Sequence, residues 1–74
     1  MTIARVAIIG LGLLGGSIGL AVKARGLAIT TTGWDRDADV RARAGERGLV
    51  EQVFDRAEDA VAGADLVILC VPVG

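Results

Sequence analysis

The feature that most constrains the fold is a G-x-G-x-x-G segment at residues 10–15, which directly follows an apolar run over residues 3–9. The apolar run is typical of a buried strand, and the residues after the glycines have the composition of a helix. A glycine-rich turn between a strand and a helix begins a β-α-β unit whose backbone can approach a phosphate group. Because such turns are common, the prediction depends on the residues around them.

Each glycine of this segment has a mechanical role in the predicted turn. Gly10 allows the sharp change of direction, Gly12 lets a pyrophosphate approach the backbone, and Gly15 lets the helix lie close to the sheet. The pyrophosphate would then meet the free N–H groups of Leu13 and Leu14, at the positive end of the helix dipole. The alternative is a glycine-rich seam for helix packing that binds no ligand.

Asp35 stands twenty residues after Gly15, at the end of the second predicted strand. A carboxylate there accepts hydrogen bonds from the adenosine ribose hydroxyls and repels the 2′-phosphate of NADP. Its neighbour Arg36 complicates the choice, because an arginine just past this strand can hold that phosphate or stack on the adenine. We expect NAD as the cofactor, with NADP as the alternative. In the structural alternative, Asp35 only begins a helix and Arg36 is a solvated charge.

The rest of the chain continues the alternation of apolar runs and amphipathic stretches. The predicted elements are strand 3–9, helix 13–25, strand 28–34, helix 38–47, strand 50–54, a short helix from 55 to about 63, and strand 65–71. Asp37 is the expected N-cap of the second helix, and Asp55 with Glu58 resembles a capping box for the third. The other charged residues of 36–59 are expected on solvated helix faces.

Because helix-length crossovers connect these strands, we expect the strands to be parallel and the connections to be right-handed. We therefore predict a partial doubly wound sheet of the Rossmann type, with strand order 3-2-1-4 and the ligand crevice between strands 1 and 4. A complete sheet of this type adds two strands beside the fourth, which here would be an apolar open edge. With only 74 residues, we expect the rest of the domain to lie outside this chain and the chain alone to be inactive.

Composition excludes several other functions. A net charge of −1 and an isoelectric point of about 5.1 give no electrostatic basis for binding nucleic acid or an anionic membrane. Residues 6–22 are uncharged, but five of these seventeen residues are glycine, which disfavours a membrane span. The sequence has no histidine, so we predict neither a metal site nor a catalytic residue here. The single cysteine, Cys70, is typical of a cytoplasmic protein and is expected to be a buried small hydrophobe.

Four segments, at residues 6–26, 33–37, 48–55 and 64–74, together resemble the N-terminal domain of prephenate and arogenate dehydrogenases. The most specific features are Gly15-Gly16-Ser17, the corner Gly33-Trp34-Asp35-Arg36, and the ending Val71-Pro72. Val71 and Pro72 would place a small apolar wall against the cofactor. Trp34 and Phe54 are expected to pack at strand ends.

The resemblance implies NAD(P)-dependent oxidation and decarboxylation of prephenate or arogenate in tyrosine biosynthesis. It also implies a helical domain after the Rossmann domain, through which the protein forms a homodimer. By resemblance, the cofactor contacts would be Gly10, Gly12, Leu13, Leu14, Asp35, Arg36, Val71 and Pro72. The catalytic histidine and the substrate-binding arginine of that family lie further along the chain than Gly74.

Two other classes stay open. A β-hydroxyacid or 6-phosphogluconate-type dehydrogenase shares the glycine pattern and the Val-Pro ending. A regulatory NAD-sensing Rossmann domain usually has GLGRFG and a fourth strand that ends without proline, so Leu13-Leu14 and Val71-Pro72 argue against it.

Overall fold

The computed structural model describes residues 3–71 of the chain. Strands and helices alternate in the predicted order: β1 (Ile3–Ile9), α1 (Leu13–Ala24), β2 (Ala28–Trp34), α2 (Ala38–Arg47), β3 (Gln52–Val53), α3 (Ala57–Val61) and β4 (Leu66–Leu69). The four strands form one sheet in the order β3-β2-β1-β4, and every pairing is parallel. The predicted partial Rossmann topology is confirmed.

β1 is the strand at which the order of the sheet reverses. Its last residue, Ile9, is level with Trp34 at the end of β2 and with Leu69 at the end of β4. Because the strands are parallel, these three carboxyl ends meet at one edge of the sheet. The chain leaves β1 toward β2, whereas β4 lies on the other side of β1, so a crevice opens at this edge as expected.

The main core lies between β1 and the helices α1 and α2. Val6 and Ile8 of β1 are fully buried and pack with Leu11, Ala44 and Val50. The helix α1 lies close to this core because it presents glycine to the α2–β3 connection.

Two buried threonines explain how β2 can be buried although it contains a polar run. Thr31 Oγ1 accepts a hydrogen bond from the backbone N–H of Glu51 at 3.0 Å, and Thr32 Oγ1 donates to the carbonyl of Ala60 at 2.7 Å. Neighbouring strand residues point to opposite faces, so the two hydroxyls connect β2 to the α2–β3 connection on one face and to α3 on the other. Each buried hydroxyl thereby avoids a desolvation penalty of about 1–3 kcal/mol.

The second helix and its cap are as predicted, whereas four other elements, α1, β3, α3 and β4, are shorter than predicted. α1 ends at Ala24, with Arg25 as the C-cap. β3 covers two residues instead of five: its pairing with β2 begins only at Gln52, and just before it the N–H of Glu51 donates to the Thr31 hydroxyl. β4 covers four residues, although the N–H groups of Asp65 and Cys70 on either side still donate to carbonyls of β1, at 2.9 and 2.7 Å.

The predicted capping box at the start of α3 is wrong. The N-cap of α3 is Arg56, with no side-chain cap, and Glu58 Oε2 accepts a hydrogen bond from Arg56 Nη2 at 2.7 Å. The pKa of the Glu58 carboxyl is lowered, first by a hydrogen bond from the backbone of Glu58 itself and then by the hydrogen bond and charge of Arg56. Asp55 lies before the helix because its carbonyl accepts a hydrogen bond from Trp34 Nε1 at 3.0 Å, which holds the chain against the end of β2.

The uncharged stretch at residues 6–22 is divided between a strand and a helix. The glycine turn separates β1 from α1, and α1 has twelve residues. Within residues 3–71, no helix has the length and apolar character needed to cross a membrane. In the same part of the chain, no three potential metal-ligating side chains come together.

Candidate dinucleotide-binding site

Two glycines of the turn after β1 are required by the chain itself. Gly10 has φ +100°, which residues with a side chain rarely adopt, and a Cβ there would overlap the carbonyl of Cys70. A Cβ on Gly15 would overlap the carbonyl oxygen of Gly10. These contacts agree with the mechanical roles predicted for both glycines.

Gly12 differs from these two glycines. Its φ of −69° and ψ of −159° are extended and open to any residue. A Cβ there would meet no atom within 4 Å. Nothing in the described residues requires glycine at this position, so its missing side chain leaves room for a group that does not belong to the chain.

The first turn of α1 has no cap from a side chain. Gly12 is its N-cap, and the turn contains no acidic residue. The first N–H groups of a helix, here including those of Leu13 and Leu14, have no partner within the helix and form the positive end of its dipole. Ser17 Oγ donates to the Leu13 carbonyl at 2.8 Å, so this hydroxyl satisfies the helix backbone. The start of α1 can therefore stabilise an anion from outside the chain.

The Asp35 carboxylate lies between this turn and the start of α2. Its Oδ2 accepts a hydrogen bond from the N–H of Leu11 at 2.8 Å, and its Oδ1 accepts one from the N–H of Asp37 at 2.9 Å. An ionised carboxylate can accept about four hydrogen bonds, so it keeps acceptor capacity for two more. The bond from Leu11 was not predicted from the sequence, because it joins residues 24 positions apart.

A crevice of about 1050 Å³ brings these features together. Eight of the nine predicted site residues line it: Gly10, Gly12, Leu13, Leu14, Gly15, Asp35, Arg36 and Val71. The ninth, Pro72, lies outside the described residues. Five lining residues were not predicted: Trp34, Asp37, Val40, Leu69 and Cys70. That the predicted residues contact a cofactor stays a prediction.

Trp34 and Cys70 have structural contacts in this crevice. Trp34 packs at the end of its strand, as predicted, and donates its indole N–H to the Asp55 carbonyl. Cys70 packs against the core but is half-buried, so it is less enclosed than predicted. Its N–H donates to the Ile9 carbonyl.

Arg41 corrects the prediction that the charged residues of 36–59 are solvated. Its side chain is only 19% exposed, and its Nη1 donates to the backbone carbonyl of Asp35 at 2.7 Å. Its Nε lies 3.7 Å from Asp55 Oδ1. No signal in the sequence distinguishes Arg41 from the other arginines of α2.

The strand order, the turn after β1 and the carboxylate after β2 are those of a nucleotide-binding domain of the Rossmann class. Comparison with known families gives a narrower assignment. The chain belongs to the family described as "Prephenate dehydrogenase, nucleotide-binding domain", whose model matches residues 18–74. That match begins after the glycine turn, so the family assignment and the geometry of the turn are independent observations. The family favours the first of the three classes predicted.

Two known dehydrogenases are similar to this chain. A cyclohexadienyl dehydrogenase from Zymomonas mobilis subsp. mobilis is 48% identical over 68 residues, which are 92% of this chain and 23% of that protein. The crystal structure of prephenate dehydrogenase from A. aeolicus, in complex with hydroxyphenyl propionate and NAD+, superposes with a TM-score of 0.85 at 23% identity. This superposition covers 97% of this chain and 26% of that one, and it establishes the shared fold. The chain thus spans about a quarter of the length of these proteins.

Proposed function

We propose that this chain is the NAD-binding part of a dehydrogenase that oxidises and decarboxylates prephenate or arogenate in tyrosine biosynthesis. The observation that carries the proposal is Gly12. The fold itself accounts for glycine at positions 10 and 15, but a Cβ at position 12 would meet no atom of residues 3–71 within 4 Å beyond its chain neighbours. A pyrophosphate against the backbone at Gly12 gives this glycine a reason.

The residues of the crevice fit a dinucleotide. The N–H groups of Leu13 and Leu14 would bind the pyrophosphate, and Asp35 would accept hydrogen bonds from the adenosine ribose hydroxyls. Its negative charge would disfavour the 2′-phosphate of NADP. When bound, NAD+ supplies the acceptor for the hydride that leaves the substrate ring. The exposed side chain of Arg36 would lie beside the adenosine.

The family and the Zymomonas mobilis relative support prephenate or arogenate as the substrate class. We assign no catalytic residue to this chain, and we propose that the catalytic groups and a helical dimerisation domain belong to the remainder of a cytoplasmic homodimer. The chain covers 23% of the relative's length, which leaves room for such a remainder. The open edge of β4 also supports it, because further strands would pair with that edge and their crossover helices would cover the exposed side chains of Leu66 and Leu69.

The test compares NAD+ and NADP+ affinity, by calorimetry, in the full-length protein and in Asp35→Ser. We expect the wild type to prefer NAD+, and the variant to lose that preference because the repelling carboxylate is gone. A wild type that prefers NADP+ would show that Arg36, not Asp35, sets the choice. NADH formation dependent on prephenate or on arogenate then tests the substrate class.

A further inference from the structure

The position of the Asp35 carboxylate depends on the backbone that carries it. The backbone carbonyl of Asp35 accepts a hydrogen bond from Arg41 Nη1 at 2.7 Å, in a partly buried setting. Hydrogen bonds from a guanidinium are charge-assisted and stronger than those between neutral groups. Arg41 lies in the first turns of α2, so it fixes the end of β2 to that helix.

The second contact of Arg41 is weaker. Its Nε lies 3.7 Å from Asp55 Oδ1, but the Asp55 side chain is 97% exposed. Ion pairs with an exposed partner contribute little, so the hydrogen bond to the Asp35 carbonyl is the contact that matters. The Asp55 backbone is held independently by the indole N–H of Trp34.

We propose that Arg41 is a positioning residue for recognition of the adenosine 2′-hydroxyl, and that it acts through Asp35. This inference rests on the proposed function. Two of the acceptor positions of the Asp35 carboxylate are occupied by the N–H groups of Leu11 and Asp37, while Arg41 holds the carbonyl of the same residue. The remaining acceptor positions are therefore fixed before a nucleotide binds. Such preorganisation raises affinity for the group that meets it.

The test measures the affinities of ADP and 2′-deoxy-ADP in the full-length protein. These two nucleotides differ only in the hydroxyl that Asp35 would recognise. We expect the wild type to prefer ADP by about tenfold, the usual scale of a hydrogen bond to a charged group. Arg41→Gln should remove most of this preference, because it should lower the affinity for ADP and leave the affinity for 2′-deoxy-ADP unchanged. Arg41→Lys, which keeps one charged donor, should restore part of it.

Two further variants make the comparison sharper. Arg43→Gln is the matched control, because Arg43 is exposed on the same helix and its Nε donates only to Asp39 of that helix, at 3.4 Å. It should keep the wild-type preference. Arg41→Met keeps the aliphatic stem and its packing, and it replaces Arg41→Gln if that variant does not fold.

Four outcomes would overturn the inference. If the Arg41 variants lost affinity equally for both nucleotides, the role of Arg41 would be structural only. If NADP+, measured in the same variants, were the one nucleotide bound more weakly, Arg41 would be a phosphate ligand. Equal affinity of the wild type for the two nucleotides would leave no preference to position. A wild type that binds neither nucleotide nor NAD+ would reject the proposed function itself, which the first three outcomes leave intact.

Discussion

The helices α1 and α2 begin in opposite ways. The start of α2 is closed by its own side chain, since Asp37 Oδ1 accepts hydrogen bonds from the N–H groups of Asp39 and Val40 at 2.8 and 3.4 Å. Asp39 adds a second negative charge to that first turn. The start of α1 has neither a side-chain cap nor an acidic residue, and its N-cap is Gly12.

This difference concerns where each helix finds partners for its first N–H groups. Glycine at an N-cap costs only a few tenths of a kcal/mol (roughly) relative to a good capping residue. The chain therefore loses little stability by leaving α1 uncapped, and those N–H groups stay available at the crevice. In α2 the Asp37 side chain accepts from the N–H groups of Asp39 and Val40, so these two groups are not available to a ligand.

The largest effect should come from giving α1 the kind of start that α2 has. The backbone of Gly12 is extended and can accept a side chain, so Gly12→Asp should fold and cap α1. Its carboxylate would stand where we propose that the pyrophosphate binds, and two unit charges about 4 Å apart repel by about 4 kcal/mol near a protein surface. We expect NAD+ affinity to fall by about 100-fold or more, measured by calorimetry.

Gly12→Ala is the control for Gly12→Asp. It adds only a methyl group, which should reduce NAD+ affinity by about tenfold through contact with the phosphate oxygens. If neither variant changes the affinity, the start of α1 does not bind the pyrophosphate. A thermal melt shows whether each variant keeps the fold.

The next largest effect should come from Asp35→Asn. The amide has one acceptor oxygen, so it cannot accept from both Leu11 and Asp37 in the way the carboxylate does. We expect a loss of stability of about 1 kcal/mol, measured by urea unfolding, together with about tenfold weaker NAD+ binding. A variant that loses stability but binds NAD+ normally would make Asp35 a structural residue only.

The topology and the glycine turn could be predicted because their signals are local. Each apolar run reflects one strand, the glycine pattern reflects one turn, and the separation between Gly15 and Asp35 reflects one helix followed by one strand. The strand ends were harder to predict. Val50 is β-branched and apolar, as a strand residue would be, but it precedes β3, and the residue between them, Glu51, bonds to the distant Thr31 hydroxyl.

The contacts that hold the candidate site could not be predicted. The bond from Leu11 to Asp35 and the bond from Arg41 to the Asp35 carbonyl depend on how two elements lie against each other. The predicted start of α3 was wrong for the same reason. The indole N–H of Trp34, 21 residues away in the sequence, donates a hydrogen bond to the Asp55 carbonyl. Tertiary contacts override local capping patterns in such cases.

A smaller effect, on stability alone, should come from Asp37→Ala. It removes the cap of α2, which should cost about 1 kcal/mol in the free energy of unfolding. The N–H of Asp37 would still donate to Asp35, so we expect NAD+ affinity to stay unchanged. Urea unfolding and calorimetry on the same variant separate the two quantities. A large loss of affinity would mean that the start of α2 also serves the crevice, contrary to the contrast between the two helices.

The smallest effect should come from Asp55→Asn, which tests whether α2 is held at its start by its own cap or by the ion pair with Arg41. The pair is long, at 3.7 Å, and the Asp55 side chain is 97% exposed. Exposed pairs of this kind contribute less than about 1 kcal/mol, and salt screens them further. We expect no measurable change in the urea midpoint, and none in the NAD+ affinity, at low or high salt. A loss as large as that of Asp37→Ala, present at low salt and absent at high salt, would show that Asp55 anchors α2 through Arg41. In that case, the link between Arg41 and the Asp35 carbonyl would depend on a charge outside the crevice.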